Sequence, residues 1–507
     1  MRDISSDNGQ TMPELRQRRW RVLVVGSVGV FAAALTASIV AVALPVIGPH
    51  LRLSYSEALW VQTAYILVVT VMASPIGRLA DMYGPLRLYT IGAVLFGLFS
   101  VAAAFSPSGL FLIVARAFQG VGGGLLSTTS PAIVTNAFPA EERGRALGLN
   151  IMAATVGFTL GPPLGGLIVT HLGWRWIFLV NAPVVLGILI GGWDLLAAER
   201  RDRAAEHKRI GISGGSRRID IPGAVLLGIM LATLFLPLSF SPLWGWANPG
   251  TIGLLAVAVI SAVGFVYVEE HTQDPVIDLS LFRSNPVFAG ANTASLLYFS
   301  STYGLTVFTA VFLEVVQGRS AQQAGLILLI QPAIVTAFTP FTGRLSDRVG
   351  PHGVAAVGML LVAAGMAGLA MVSPTASIWL IVAALSIVGF GMACFVPPNM
   401  SAAMGSVSRS TLGVASGVNA TMRGCGQGLS IAVLGAIAAS KLGPSGGRVI
   451  LLGKNAGISS AQTFAAGYRE AMLVAAGLAV AGALVSLIGK PKSVKQELYE
   501  APVMPPL

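Results

Sequence analysis

The sequence predicts an all-α membrane protein assembled from two related halves, and three observations carry that prediction. Of the 507 residues, 54% are hydrophobic and only 10% charged, whereas a soluble domain carries about 25% charged residues. The apolar residues fall into runs of about 20, the length an α-helix needs to cross roughly 30 Å of hydrocarbon. One short segment occurs twice: Gly77 to Arg87 is GRLADMYGPLR and Gly343 to Gly353 is GRLSDRVGPHG, each charged, broken by Gly and Pro, and set between long apolar runs. A tight loop repeated at matching positions of two apolar halves points to a duplicated bundle of helices.

The apolar runs place helices near 22–47, 58–77, 87–105, 109–135, 146–170, 175–197, 221–240, 250–268, 287–313, 321–342, 354–372, 377–402, 411–437 and 468–489. The first 21 residues are polar and end in RQRRWR, and the long run behind them is expected to be a retained first helix, not a cleaved signal peptide. Eight of the fourteen helices separate the two copies of the loop, where directly joined six-helix halves would leave six. The runs 221–240 and 250–268, both interrupted by Gly or Pro, are therefore expected as two extra central helices. The predicted order is an N-terminal segment 1–21, a six-helix bundle 22–197, a charged then Gly/Ser-rich linker 198–220, the two extra helices 221–268, a second linker 269–286, a six-helix bundle 287–489 and a tail 490–507.

The formal charge of +11 does not indicate nucleic acid, because the basic residues lie in short loops between apolar runs. Most of them, including those from Arg200 to Arg218, fall on the side of the two termini. The other side holds Arg52, Arg175, Arg319, Arg469 and the basic residues of the long loop at about 441–467. This asymmetry predicts cytoplasmic termini. Cys394 and Cys425 lie inside apolar runs and are expected to be packing residues, with neither a disulfide framework nor metal-ligand spacing.

With these motifs in place, the chain resembles the major facilitator superfamily, specifically its fourteen-helix drug:proton antiporters, from about Val22 to Gly489. The loop at Gly77, Arg78, Asp81, Gly84 and Arg87, repeated at Gly343, Arg344 and Asp347, matches the family's loop motif. The resemblance implies a conformational latch there, in which Asp81 lies between two arginines and can pair in one arrangement and part in another. RAFQGVGGG from Arg116 looks like the family's helix 4 motif, which implies a role for Arg116 in proton coupling. An Arg in a membrane helix costs roughly 2.5–3.5 kcal/mol on insertion scales, so it is expected to face a partner, a wet cavity or backbone carbonyls. GFTLGPPLGG, with Gly157, Gly161, Pro162, Gly165 and Gly166, looks like the antiporter signature of exporters: Gly at four-residue spacing for close helix contact, and a proline kink. WRWIFLVNAPV at Trp174 to Val184 and the stretch Gly413 to Gly435 also resemble this subfamily. In the latter, Asn419, Arg423 and Gln427 form one polar stripe, expected to line a cavity or a hydrogen-bonded helix seam.

One departure matters. Relatives of this kind usually carry an Asp early in helix 1, and Thr36 stands there, a residue that does not titrate in the physiological range. No acid sits at the centre of an expected helix, which leaves Glu57, Asp194 and Glu314 as coupling candidates beside Arg116. Thr36, Gln62, Tyr65, Asn150, Gln331, Phe395, Asn399, Asn419 and Arg423 are the expected cavity residues. A cavity with Arg116 and Arg423 but no central carboxylate favours neutral or anionic amphipathic substrates over cations.

The expected function is secondary active export of small amphipathic molecules by alternating access, probable only with an ion gradient as its energy source. A lipid or lipid-linked metabolite flippase and a non-transporting membrane sensor are the alternatives. Enzymatic chemistry is not expected: the sequence has no phosphate-binding glycine loop with its Lys, no metal-spaced His or Cys set, and no catalytic triad among its five histidines. No cofactor, metal or nucleic acid is called for, the partners are substrate and membrane lipid, and a monomer in the plasma membrane, or bacterial inner membrane, is expected.

Overall fold

The computed structural model describes residues 12–192, 220–407, 412–440 and 458–488, apart from 246, 273, 274, 276 and 278. The predicted linker 198–220 (except Asp220), the tail, Asp194 and the loop 441–457 lie outside the described residues. Helices occupy all fourteen expected positions: α1 Met12–Leu51, α2 Tyr55–Tyr83, α3 Pro85–Ala104, α4 Gly109–Ala137, α5 Ala140–His171, α6 Trp176–Gly192, α7 Ile221–Trp244 and α8 Pro249–His271. They continue with α9 Pro286–Val311, α10 Ala321–Leu328 running on as Ile330–Val349, α11 Pro351–Ala370, α12 Ile378–Gly405, α13 Leu412–Leu429 and α14 Ile458–Ile488. Among the described residues, 12 helices are long and apolar enough to cross a membrane. The other two are α6, a shorter apolar helix, and α13, which runs on to Ser440 through a π turn at Ser430–Leu434.

Three corrections concern helix ends. α1 begins at Met12, not near 22, and its extra turns dock through an Arg19–Glu142 ion pair of 3.5 Å and an edge-on Trp20–Phe138 contact. α2 continues through the charged segment to Tyr83, so the expected loop shrinks to Gly84 alone, and Pro85 already begins α3. α10 likewise runs to Val349 and turns at Gly350. Gly84 and Gly350 have φ of 97° and 91°, a region L side chains rarely adopt, and the next residue in each case is a proline at the first helical position. Gly77 and Gly343 are helical and open, with nothing near enough to touch an added Cβ. Charge alone does not end a helix, and Arg, Leu, Asp and Met all extend one readily enough once the chain leaves the hydrocarbon.

The duplication extends beyond the loop. At one constant spacing along the chain, Ser54 and Ser320 open α2 and α10 with capping boxes, Gly84 and Gly350 close them, and Gly92 and Gly358 carry the next crossing. A Cβ at Gly358 would lie 2.7 Å from the Gly391 carbonyl oxygen of α12, and one at Gly122 of α4 would lie 2.8 Å from that of Gly92. Helices buried in lipid gain little from hydrophobicity when they associate, so such close backbone approach supplies the van der Waals contact that holds each half together.

α1, α3 and α5 pack around α4 and α2 in the first half; α11, α12 and α14 pack with α9, α10 and α13 in the second. The halves meet through α5 and α10, α1 and α9, and α2 and α13. α7 and α8 pair as a hairpin, and α7 lies across both α2 and α13. The face that bears Met12, Gly84 and Gly350 is called the terminal face below, and the other the opposite face.

Candidate functional site

The polar centre of the first half is built around Arg116 of α4, fully buried. Its Nε donates to the Val61 carbonyl at 3.0 Å and its Nη1 to Gln119 Oε1 at 2.6 Å, and the guanidinium lies 4.3 Å from the Tyr65 ring centroid. A cation over a desolvated aromatic face is worth about 2 kcal/mol, so Tyr65 substitutes for the missing counter-charge. Gln119 donates on to Ser100 Oγ of α3 at 2.5 Å, Asn181 of α6 donates to the same oxygen at 3.3 Å, and Thr36 of α1 donates to Asn181 Oδ1 at 3.2 Å. Four helices are thus joined by one buried chain of neutral groups that starts at a cation. Thr36, where relatives carry an acid, is the end of that chain and is 1% exposed.

Arg116 Nη2 is the one part of this guanidinium without a hydrogen bond. Replacing Arg116 by Ala leaves the Val61 carbonyl and Gln119 Oε1 without donors, at about 1–3 kcal/mol each. Lys, a single point charge, does not reproduce two arms aimed at different acceptors. Both variants are expected to lose efflux at least tenfold, with lowered thermal stability in detergent; full activity in the Lys variant would contradict the two-arm role.

The two halves meet tightly at the centre and at the opposite face. At the centre, Gln62 Nε2 of α2 donates to the Ala37 carbonyl of α1 and, at 3.1 Å, to the Tyr303 hydroxyl of α9, which itself donates to Ala37. At the opposite face an added Cβ at Gly325 of α10 would run into the Pro162 carbonyl oxygen of α5, and one at Gly166 would run into the Ala321 carbonyl oxygen. Gly161 and Gly165 instead admit Ser38 and Ile39 of α1, and Gly157 admits Phe31, so the Gly-rich helix packs on two sides at once. Leu59 and Gly435 bring α2 against α13 at the same end. Toward the terminal face these contacts lapse, and the halves part.

Of the expected cavity residues, eight are buried and Arg423 alone is exposed. Asn150 donates to Ser130 and Ser27 in the α1–α4–α5 seam, Gln331 to Met392 Sδ, Asn399 to the Ala291 carbonyl and Asn419 to Asn292 Oδ1 at 3.2 Å, while Phe395 stacks on Tyr298. Tyr65 donates to the Ala33 carbonyl and Thr36 and Gln62 are held as described. The correction has a simple cause: within hydrocarbon a polar side chain first satisfies itself against a neighbouring helix. Arg423 differs. Its neighbour Gly424 backs onto Thr70 of α2 and Gly426 onto Leu296 and Phe299 of α9. At about 100° per residue, Arg423 falls in the sector between those two helices, at the join of the halves, and it makes no hydrogen bond or ion pair among the described residues.

The coupling candidates separate equally clearly. Glu57 is engaged in the capping box of α2, where its Oε2 accepts from Ser54 N at 2.7 Å. Its counterpart Gln323 serves the same cap without a charge. Glu314 lies in a π turn, Phe312–Val316, that ends α9, and it is 9% exposed with Oε1 buried and unpartnered. Of the acidic side chains described, it alone makes no hydrogen bond or ion pair. The backbones of Arg78, Asp81 and Asp347 are helical, and Arg87 and Arg344 are exposed near the two turns. Sequence reasoning missed Ser100, Gln119, Asn181, Asn292 and Tyr303. Gln119 was findable, since it stands one turn from Arg116 on the same helix face.

Two helix bundles that close on one face around a polar centre, and part on the other around a solitary cation, define a carrier of the membrane-transport class. The sequence profile described as Major Facilitator Superfamily matches residues 26–431, and the chain belongs to that family. Among similar proteins are the tetracenomycin C resistance and export protein of Streptomyces glaucescens, 31% identical over 85% of this chain and 78% of that protein, and multidrug resistance protein Stp of Mycobacterium tuberculosis H37Rv, 34% identical over 83% and 76%. The riboflavin transporter RibZ of Clostridioides difficile is 28% identical over 84% of this chain and 90% of its own length. The fold is also that of a bacterial homolog of the human lysosomal transporter Spinster, solved in an inward-facing, occupied conformation, at 15% identity and TM-score 0.62 over 95% of this chain and 97% of that one. The chain is an integral membrane protein of the major facilitator fold.

Proposed function

We propose that the protein is a secondary active exporter of small amphipathic molecules, neutral or anionic, that works by alternating access and draws on a proton gradient. The observation that carries this reading is the exposed, unpaired Arg423 between two halves sealed at the centre and opposite face and parted toward the terminal face. A carrier in that arrangement offers its site to one side of the membrane at a time. The resistance and export roles in the names of the relatives support export over import. With both termini cytoplasmic, as the Lys/Arg distribution supports, the open face is the inner one. The site is then loaded from inside, in the plasma membrane, and all fourteen helices cross.

Substrate charge follows from what faces the site. An exposed cation without a carboxylate attracts anions and repels cations, and its field is strongest where low-dielectric walls exclude water. Efflux of an anionic, a neutral and a cationic amphiphile of matched size from proteoliposomes tests this. Arg423→Gln is expected to slow the anion about tenfold, equivalent to about 1.4 kcal/mol, and to leave the neutral probe within twofold. Fast efflux of quaternary ammonium dyes, or an anion rate that ignores Arg423, would contradict the proposed selectivity.

A further inference from the structure

The two flanks of the join between the halves are not alike. On one flank α7 covers the α2–α13 seam: Phe235 fills the space at Gly428, Val71 meets Gly228, and Leu227 and Leu231 are buried in a cluster with Trp60 and Val418. On the other flank α5 and α10 touch only near the opposite face, at Pro162, Gly166, Ala321 and Gly325, and no described helix lies over them.

Helix geometry shows that this second seam opens. Thr155 lies seven residues before Pro162 and eleven before Gly166, so at about 100° per residue it shares the α5 face that packs on α10. Thr336 lies eleven residues after Gly325 and shares the corresponding face of α10. Both are exposed, as are Met152 and Pro340 further along the same faces. The same two surfaces that press together at one end are bare at the other. Each threonine hydroxyl is already bonded to the carbonyl four residues back, Thr155 to Ile151 and Thr336 to Pro332. The seam therefore presents methyl groups and no unmet polar atom to whatever passes, which suits hydrocarbon.

We infer that the α5–α10 seam is a one-sided lateral portal through which a single-chain anionic amphiphile enters from the bilayer leaflet of the terminal face, its headgroup drawn to Arg423. The occupant follows from an apolar doorway that leads to a solitary cation. The α7–α8 hairpin explains why there is one portal and not two: it closes the pseudo-symmetric seam. This inference rests on the exporter reading for its direction of transport, but not for the binding event itself.

The experiment uses the full chain in liposomes, with the photoreactive residue p-benzoylphenylalanine at Thr155 or at Thr336 and dansyl-labelled lauric acid as the probe. All positions chosen are exposed, so the substitutions do not disturb packing. Adducts at 155 and 336 are expected to saturate with probe, to fall at least tenfold with excess unlabelled laurate, and to fall at least fivefold in Arg423→Gln. The same label at Val263, 66% exposed on α8, is expected to react in proportion to probe and without competition. Unsaturable labelling at 155 and 336, like that at 263, would overturn the portal. Saturable labelling in a protein that moves none of the probe would leave the portal standing and overturn export.

Discussion

Glu314→Gln is expected to abolish pH-gradient-driven efflux, by at least tenfold, while downhill movement of the same substrate continues. An ionised carboxylate at this position has no counter-charge and no donor, and an uncompensated buried ion costs several kcal/mol even after relaxation. The charged groups on the elements around it do not relieve this. Arg319 is bound to Gln317, and on α14 Tyr468 bonds to Thr309 and stacks on Phe312, Arg469 is exposed and Glu470 interacts elsewhere. Closure of the opposite face thus suits the protonated acid, and opening that face to water suits the ion. Gln imitates the protonated state permanently, so closure would cease to require a proton. The neutral chain from Arg116 to Thr36 offers no titrating group for the same task, and π turns are frequent where a helix must rearrange. Gradient-driven efflux at the original rate in Glu314→Gln would remove Glu314 from the coupling.

The second large effect is steric. Gly325→Val places two methyl groups where the Pro162 carbonyl of α5 already sits, and backbone cannot step aside as a side chain would. Overpacking typically costs about 1–3 kcal/mol, which shifts a two-state equilibrium by roughly 5–150-fold. The variant should rest with its opposite face open and export at least tenfold more slowly. A cysteine at Leu59, 2% exposed beside Gly435, reports this once Cys394 and Cys425 are replaced. It should become reactive to a membrane-impermeant thiol reagent added from the opposite face. Wild-type efflux with a protected cysteine would show that α5 and α10 do not form the seal.

Much of the fold was legible because membrane helices announce themselves by run length, and a duplicated turn announces a duplicated half. Gly84 and Gly350 stood out for the same reason that they are needed, a positive φ followed at once by proline. The length of α2 was not legible, since a charged stretch and a loop look alike where a helix leaves hydrocarbon. The cavity was the least legible part. Asn150, Gln331 and Asn419 are polar residues on apolar helices whether they face solvent or a neighbour, and only the partner's position decides between the two. Gln62 shows this most plainly: its partner Tyr303 comes from the other half of the chain. Arg423 and Glu314 remained conspicuous throughout, because neither has anything nearby to satisfy it.

Proteoliposomes loaded with a dansyl-labelled anionic amphiphile and given an imposed pH gradient test the central claim most directly. The exporter reading requires transport against the amphiphile's own gradient while the proton gradient lasts, and collapse of that transport when a protonophore dissipates it. Movement that only ever runs downhill, at a rate indifferent to the imposed gradient, would contradict it.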